Sequence, residues 1–207
     1  YRHLYKTYLS DPDLQEARAN WPFICIWDDH EFANDNFQGF STYDDAPVLQ
    51  AQRKMDANQA WFEFIPAVLN ELKTQPAHDF EPQVLGKDEA IQNQAALNSL
   101  RIYRKLSWGK YVDIVLTDTR SYRSAPCLPH GLSASMELPL DPVELVSIAD
   151  AGSAYNEGNP PKTLSFGDGT VPNPAQHRAP GSMLGLEQRE WFLQTIKTST
   201  APWKLWG

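Results

Sequence analysis

With 207 residues and an ordinary globular composition, the chain is long enough for one domain with a sizeable buried core. Its formal charge of -8 lacks the basic footprint of a generic nucleic-acid binder. Anionic phosphate substrates stay open, because bound cations can reverse the local sign. No apolar run reaches the roughly 18 residues of a membrane-spanning helix, and the first residues lack a signal-peptide apolar segment. The chain starts with Tyr rather than Met, so it reads as a piece of a longer protein. Of the two cysteines, Cys25 sits in an apolar run and Cys127 in a Pro-rich stretch, and no CxxC or Cys/His zinc spacing occurs.

In chain order, Leu4, Tyr5, Tyr8 and Leu9 recur at helical spacing, which predicts an amphipathic helix over Tyr1–Leu9 whose aromatic rings join the core. Ser10 or Asp11 caps a second helix with Pro12 in its first turn, ended by Asn20 and Pro22. Phe23 to Trp27 then reads as a short, fully buried β-strand. Its carboxyl end delivers Asp28, Asp29, His30 and Glu31, followed by Asn34-Asp35-Asn36. Carboxylates crowded this way repel one another unless a cation or water relieves them, and an oxygen-rich set with one imidazole suits a hard or borderline metal. The plainer alternative is a solvated acidic turn in which Asp28 or Asp29 caps a helix.

Gln38 to Asp45 reads as a polar loop. Pro47 opens a long helix to about Phe64, with Val48, Ala51, Met55, Asn58 and Phe62 on one face, ended or kinked at Pro66. Asp56 and Asn58 read as solvated or capping, and Trp61-Phe62 as packing. Residues 70–97 show no sustained periodicity and read as loop, with His78-Asp79 on the surface. Period-two alternation predicts a half-buried strand over Ser99–Trp108, a turn at Gly109-Lys110, and a return strand over Tyr111–Thr117. That strand ends on Asp118, Arg120 and Arg123. An arginine fork matches phosphate in two-point hydrogen bonding, while the alternative for Arg120 is an Asp–Arg bridge tying the strand end to a neighbouring loop. Residues 124–182 are rich in Pro, Gly, Ser, Asn and Asp, with only Pro142–Ala149 helical, and His130 and His177 read as surface. A helix from Gly185 to about Ser199, with Leu186, Leu193 and Ile196 inward, precedes a buried strand over Trp203–Trp206.

Trp27-Asp28-Asp29-His30-Glu31-Phe32-Ala33-Asn34-Asp35-Asn36 resembles the signature of the PhoD-like alkaline phosphatases, exported metallophosphoesterases. The Tyr1–Pro22 lead-in, Leu116 to Arg123, and Leu184 through Trp191 to Trp203-Lys204 stand in the order that resemblance leads one to expect. It implies an α/β fold, a partial metallophosphoesterase-like two-sheet sandwich flanked by helices with long irregular loops. Residues 1–207 would be the central part of one catalytic domain, and 125–181 a long loop insertion over the site. It also implies metal-dependent hydrolysis of phosphate monoesters or diesters, with Asp28, Asp29 and Asn34 as metal ligands or their immediate supports. His30 would serve as general acid near the leaving oxygen, Arg120 as the second catalytic residue, and Glu31 as the group orienting His30. Calcium and iron, Ca2+ and Fe3+, are the metals the resemblance suggests. The substrate would be a small-molecule, lipid or nucleotide phosphate ester, and the location extracytoplasmic. Further metal motifs of the family find no counterpart here, so the chain alone is expected to bind metal weakly and turn nothing over. Phospholipase D-type phosphodiesterase action and a non-catalytic calcium-binding domain are the competing readings. The second leaves His30 and the arginine-bearing loop without a use.

Overall fold

Helix α1 (Arg2–Leu9) and helix α2 (Pro12–Asn20) open the chain. α2 starts where Asp11 turns its carboxylate back onto the Leu14 N–H at 2.9 Å, with Pro12 supplying a preset helical φ. The computed structural model describes residues 1–43, 46–65, 67, 69, 76–128, 142–166 and 169–207. Two compact units follow from it: residues 1–122 with 184–207, and residues 123–183.

In the first unit, strands β1 (Phe40–Ser41) and β2 (Val48–Leu49) form a minimal antiparallel pair. Helix α3 (Ala51–Phe64) follows, four residues later than Pro47 suggested, because Val48 and Leu49 are taken by the ladder. Helix α4 (Glu89–Asn98) falls where a loop was expected. Only Ala96 and Leu97 of α4 are buried, so no apolar stripe announced it; its readable signal is Asp88, which accepts from the Ala90 and Ile91 N–H groups. Residues 70–75 lie outside the described residues, and His78 holds an isolated bridge to Arg101.

Strands β3 (Arg104–Trp108) and β4 (Val112–Leu116) form the expected hairpin, and Gly109 at φ +59° supplies the left-handed turn residue. β3 is shorter than the alternation over 99–108 implied, since Leu100, Ile102 and Tyr103 are buried without pairing as a ladder. After helix α7 (Gly185–Thr198), strand β7 (Trp203–Trp206) joins β4 in parallel, giving the order β3-β4-β7. Trp203, Leu205 and Trp206 are exposed rather than buried, and so are Leu186 and Leu193 of α7. The face that α7 buries carries Gln188 instead, with Trp191 against Tyr103 and Phe192 against Trp206.

Phe23–Trp27 is not a strand. Phe23 and Ile24 are exposed, Arg104 Nη2 donates to the Cys25 carbonyl at 2.8 Å, and only Trp27 is fully buried, with Cys25 and Ile26 packed against the core. An apolar run signals burial or pairing, and here no ladder partner exists among the described residues. The core gathers Trp27, Trp61, Leu69, Leu100 and Ile102, with Trp27 edge-on to Trp61 at 5.3 Å.

The second unit holds helix α5 (Val143–Ala151), a helical turn α6 (Tyr155–Gly158), and the antiparallel hairpin of β5 (Thr163–Phe166) and β6 (Gly169–Pro172). Leu128, Leu145, Ala149, Leu164 and Ala175 form a core of its own. A stretch read as one irregular loop therefore carries its own packing. The chain is mixed α/β as read; among the described residues its sheets are two-, three- and two-stranded, smaller than the two mixed sheets the resemblance implies.

Candidate active site

The loop from Asp28 to Gln38 folds on itself through main-chain bonds. The Asp29 carbonyl accepts from the Phe32 and Ala33 N–H groups, and Asp35 turns left-handed at φ +50°, which brings its N–H to Asp29 Oδ2 at 2.8 Å. Asp29 is thereby buried while Asp28, His30 and Asn34 face solvent. Burial pushes the Asp29 carboxyl up, but the Asp35 N–H and the Arg120 guanidinium outweigh it, so Asp29 titrates below the ordinary aspartate range.

His30 Nε2 lies 2.9 Å from Asn34 Oδ1 and 3.8 Å from Asp29 Oδ2. Asn34 Nδ2 donates to Asp35 Oδ2 at 2.9 Å, which fixes the amide so that its oxygen accepts; the imidazole therefore carries its proton on Nε2. Glu31 does not touch the ring. Its Oε2 accepts the Asp28 N–H at 2.9 Å, because side chains three residues apart meet across a turn. Asn34 is held in place by Thr42, which donates to its carbonyl, and by Tyr43, whose hydroxyl accepts its N–H.

Arg120 joins the two separated motifs. Its Nε donates to Asp28 Oδ1 at 2.8 Å and its Nη2 stands 3.8 Å from Asp29 Oδ2, while its carbonyl accepts the Gln38 N–H at 2.8 Å. The loop is thus tied at both ends to one residue. Asp118 Oδ1 sets that residue's conformation by accepting the N–H groups of Arg120 and Ser121. Gln188, 1 % exposed, holds Asp118 in turn: its Oε1 accepts the Asp118 N–H at 2.7 Å and its Nε2 donates to the Asp118 carbonyl at 2.8 Å. α7 can come this close because residue 185 is glycine, at φ +70°, where a Cβ would stand 2.8 Å from the Tyr122 carbonyl.

Sequence reasoning did not single out Gln188 or Lys54, since a Gln or Lys inside a helix reads as a solvent-facing residue. Lys54 is buried behind the loop, its Nζ 4.6 Å from the Trp27 ring centre and 5.4 Å from that of Phe32. Burial pushes its pKa down to about 8, against the opposing pull of Asp118 and Glu31. Asn58, expected on a solvated or capping face, is also buried and donates to the Ala96 carbonyl and Ser99 Oγ. Arg123 falls in the second unit, His177 is exposed, and His130 lies outside the described residues.

Among the described residues, no group of three or more His, Cys, Asp and Glu side chains is placed to hold a metal ion. The donors themselves suit a hard cation in part: two carboxylates and an amide oxygen on one short loop. Four buried polar atoms have no hydrogen-bond partner among the described residues: Trp27 Nε1, Asn36 Oδ1, Asp118 Oδ2 and Ser121 Oγ. All four belong to the two segments that meet at Arg120, so the unmet polar valence of the unit is gathered there.

The Arg120 fork, of a geometry that can meet phosphate in two-point hydrogen bonding, is paired with the acidic loop. The family model of PhoD-like phosphatases matches residues 1–207, and the chain belongs to that family. Alkaline phosphatase D of Bacillus subtilis (strain 168) is 22% identical over 205 residues, which is 99% of this chain and 25% of that protein. A solved structure described as the structure of PhoD superposes with a TM-score of 0.54 at 23% identity, over 97% of this chain and 27% of the other; this likeness speaks to the fold. The chain therefore spans about a quarter of the length of these relatives.

Proposed function

We propose that the parent protein hydrolyses phosphate esters with the help of bound metal ions, and that this chain supplies one wall of the active site. The observation that carries the reading is Arg120, which draws the Asp28–Gln38 loop and the strand-end turn into one charged cluster. Asp28, Asp29 and Asn34 would hold the ions, with the remaining donors and the rest of a two-sheet sandwich supplied from outside these 207 residues. Calcium and iron are the ions we assign, and they would polarise the phosphoryl oxygens and activate water for in-line attack.

The chain's own residues have separate tasks. Arg120 relieves the repulsion between the two carboxylates and offers its remaining N–H groups to a phosphate oxygen. Asn34 holds the His30 ring through its Nε2 proton; in the imidazolium form Nδ1 carries a second proton, which it gives to the leaving oxygen as the bond to phosphorus breaks, returning the ring to the neutral Nε2–H tautomer. Family membership supports the parent's action on phosphate esters, with monoesters and diesters both within reach of the same centre. The isolated 207 residues are assigned no turnover, and the parent is assigned to the outside of the cytoplasm, which cell fractionation tests.

The deciding experiment measures hydrolysis of a chromogenic phosphate monoester and diester by the full-length parent, alongside Asp29→Ala. Activity that is lost in the variant supports the assignment, and the diester-to-monoester ratio sets the substrate class. A folded, metal-loaded parent that hydrolyses neither ester overturns the reading and leaves a non-catalytic cation-binding domain. Hydrolysis by the isolated 207 residues would overturn the division of labour.

A further inference from the structure

Tyr1, Leu4, Tyr5 and Tyr8 stand at the spacing of one helix face. Such a stripe ordinarily disappears into a core, and only half of this one does. Tyr5 stacks in parallel on Phe64, with ring centres 5.6 Å apart, and packs against the Trp27–Trp61 cluster. Leu4 and Tyr8 remain 56% and 70% exposed. The stripe lines a cleft of about 230 Å³ whose other wall is His30 and Glu31.

The cleft is held in register with the acidic loop. Tyr1 Oη donates to the Phe32 carbonyl at 2.8 Å and accepts from Arg53 Nε at 2.8 Å, and the Arg53 guanidinium lies over the rings of Tyr1, Phe32 and Tyr43. The aromatic wall is therefore tied to the main chain two residues beyond His30. Its chemistry narrows the occupant. Apolar rings with a carboxylate at one edge reject a second phosphate and accept an uncharged group. The volume lies below the roughly 300–1,000 Å³ that whole drug-sized ligands occupy, so it suits one ring system rather than a long acyl chain.

We propose that this cleft is the leaving-group subsite of the enzyme and takes a planar aromatic ring, a nucleobase or aryl group, carried by the alcohol of the phosphate ester. The proposal rests on the assignment of His30 to the leaving oxygen, since whatever that oxygen carries then lies beside Tyr5 and Tyr8. Stacking on an aromatic side chain is tolerant of ring identity, so the subsite selects for flatness rather than for one base.

The test compares adenosine 5′-monophosphate with ribose 5-phosphate, as monoesters and as methyl diesters, in the full-length parent. Both monoesters release a 5′ oxygen of the same kind and differ by the base; for the methyl diesters only release of the 5′ alcohol, and not of methanol, is counted. The expected result is a kcat/KM ratio of about tenfold or more in favour of the base-bearing ester. Tyr8→Ala collapses that ratio toward one, Leu4→Ala lowers it, and Tyr8→Phe keeps it; both positions are exposed, so the fold is not at risk. Hydrolysis of both esters with a ratio near one, or a ratio that survives Tyr8→Ala and Leu4→Ala because another part of the parent covers the cleft, overturns the subsite and leaves the phosphatase reading standing. Hydrolysis of neither form of either ester overturns both.

Discussion

Replacing Gln188 by methionine keeps the length of the side chain and removes every hydrogen bond it makes. In the wild-type protein Gln188 Oε1 receives the Asp118 N–H and Nε2 gives to the Asp118 and Leu184 carbonyls, all in a buried setting. Leu184 lies four residues before Gln188 at the start of α7, where its carbonyl can also accept a helical N–H. The two main-chain groups of Asp118 would lose these partners. A buried polar group left unpaired costs roughly 1–3 kcal/mol, and methionine leaves no room for a substituting water, so Gln188→Met should cost about 2–4 kcal/mol. Urea unfolding of the full-length parent measures this, and Gln188→Glu, which keeps the acceptor but sets a carboxylate oxygen against the Asp118 carbonyl, should also be destabilised. A loss below about 1 kcal/mol for the methionine variant would refute the view that this side chain holds the turn.

Further expectations follow from neighbouring contacts. Arg120→Lys replaces a fork by a point charge, and losing one charge-assisted bond of about 1.5–3 kcal/mol should lower the parent's kcat/KM by roughly tenfold or more; an unchanged kcat/KM would refute a role for the guanidinium geometry. Asn58→Ala removes two buried hydrogen bonds, to the Ala96 carbonyl and the Ser99 hydroxyl, which keep their bond to each other, and should cost about 1–3 kcal/mol in thermal or urea unfolding, with no comparable loss for the exposed Asp56→Ala. The hydroxyls of Ser107 and Ser199, with Lys105, hold the Asp113 carboxyl below the 3.8 of an ordinary aspartate. Because the folded pKa is the lower one, this stabilisation is present above the unfolded value and is lost as pH falls through the folded value. Asp113→Asn should therefore weaken the protein at pH 7 and match wild type in acid, and a gap that is independent of pH would contradict the linkage.

The residues of the candidate site could be picked out because most of them lie close together along the chain. Asp28, Asp29, His30 and Asn34 declare themselves by type and spacing, and Arg120 by its place at a strand end. Capping residues made α2 legible, and hairpin alternation made β3 and β4 legible. The supports were not legible, for a common reason. Gln188, Lys54 and Asn58 sit in helices as polar residues, and periodicity assigns polar residues outward, whereas here all are buried: Gln188 and Asn58 by the groups they hydrogen-bond, Lys54 over the Trp27 and Phe32 rings. Glu31 was misplaced because chain proximity to His30 says nothing about which N–H its carboxylate reaches. The small core of the second unit was hidden differently: Leu128, Leu145, Leu164 and Ala175 are spread over a Pro- and Gly-rich stretch too sparsely to form a pattern.

The stretch from Ser124 to Ser182 closes on itself at its base. The Ser124 N–H donates to the Ser182 carbonyl and the Ser182 N–H to the Ser124 hydroxyl, each at 2.8 Å. A ring sealed at its neck asks little of its contour length: by polymer statistics each doubling of a flexible loop adds only about 0.6 kcal/mol of closure entropy. Such an excursion is a place where a lineage can lengthen or trim the segments between its packed elements, while the Leu128–Leu145–Leu164 core is kept and Tyr122 and Leu184 stay the points of departure and return.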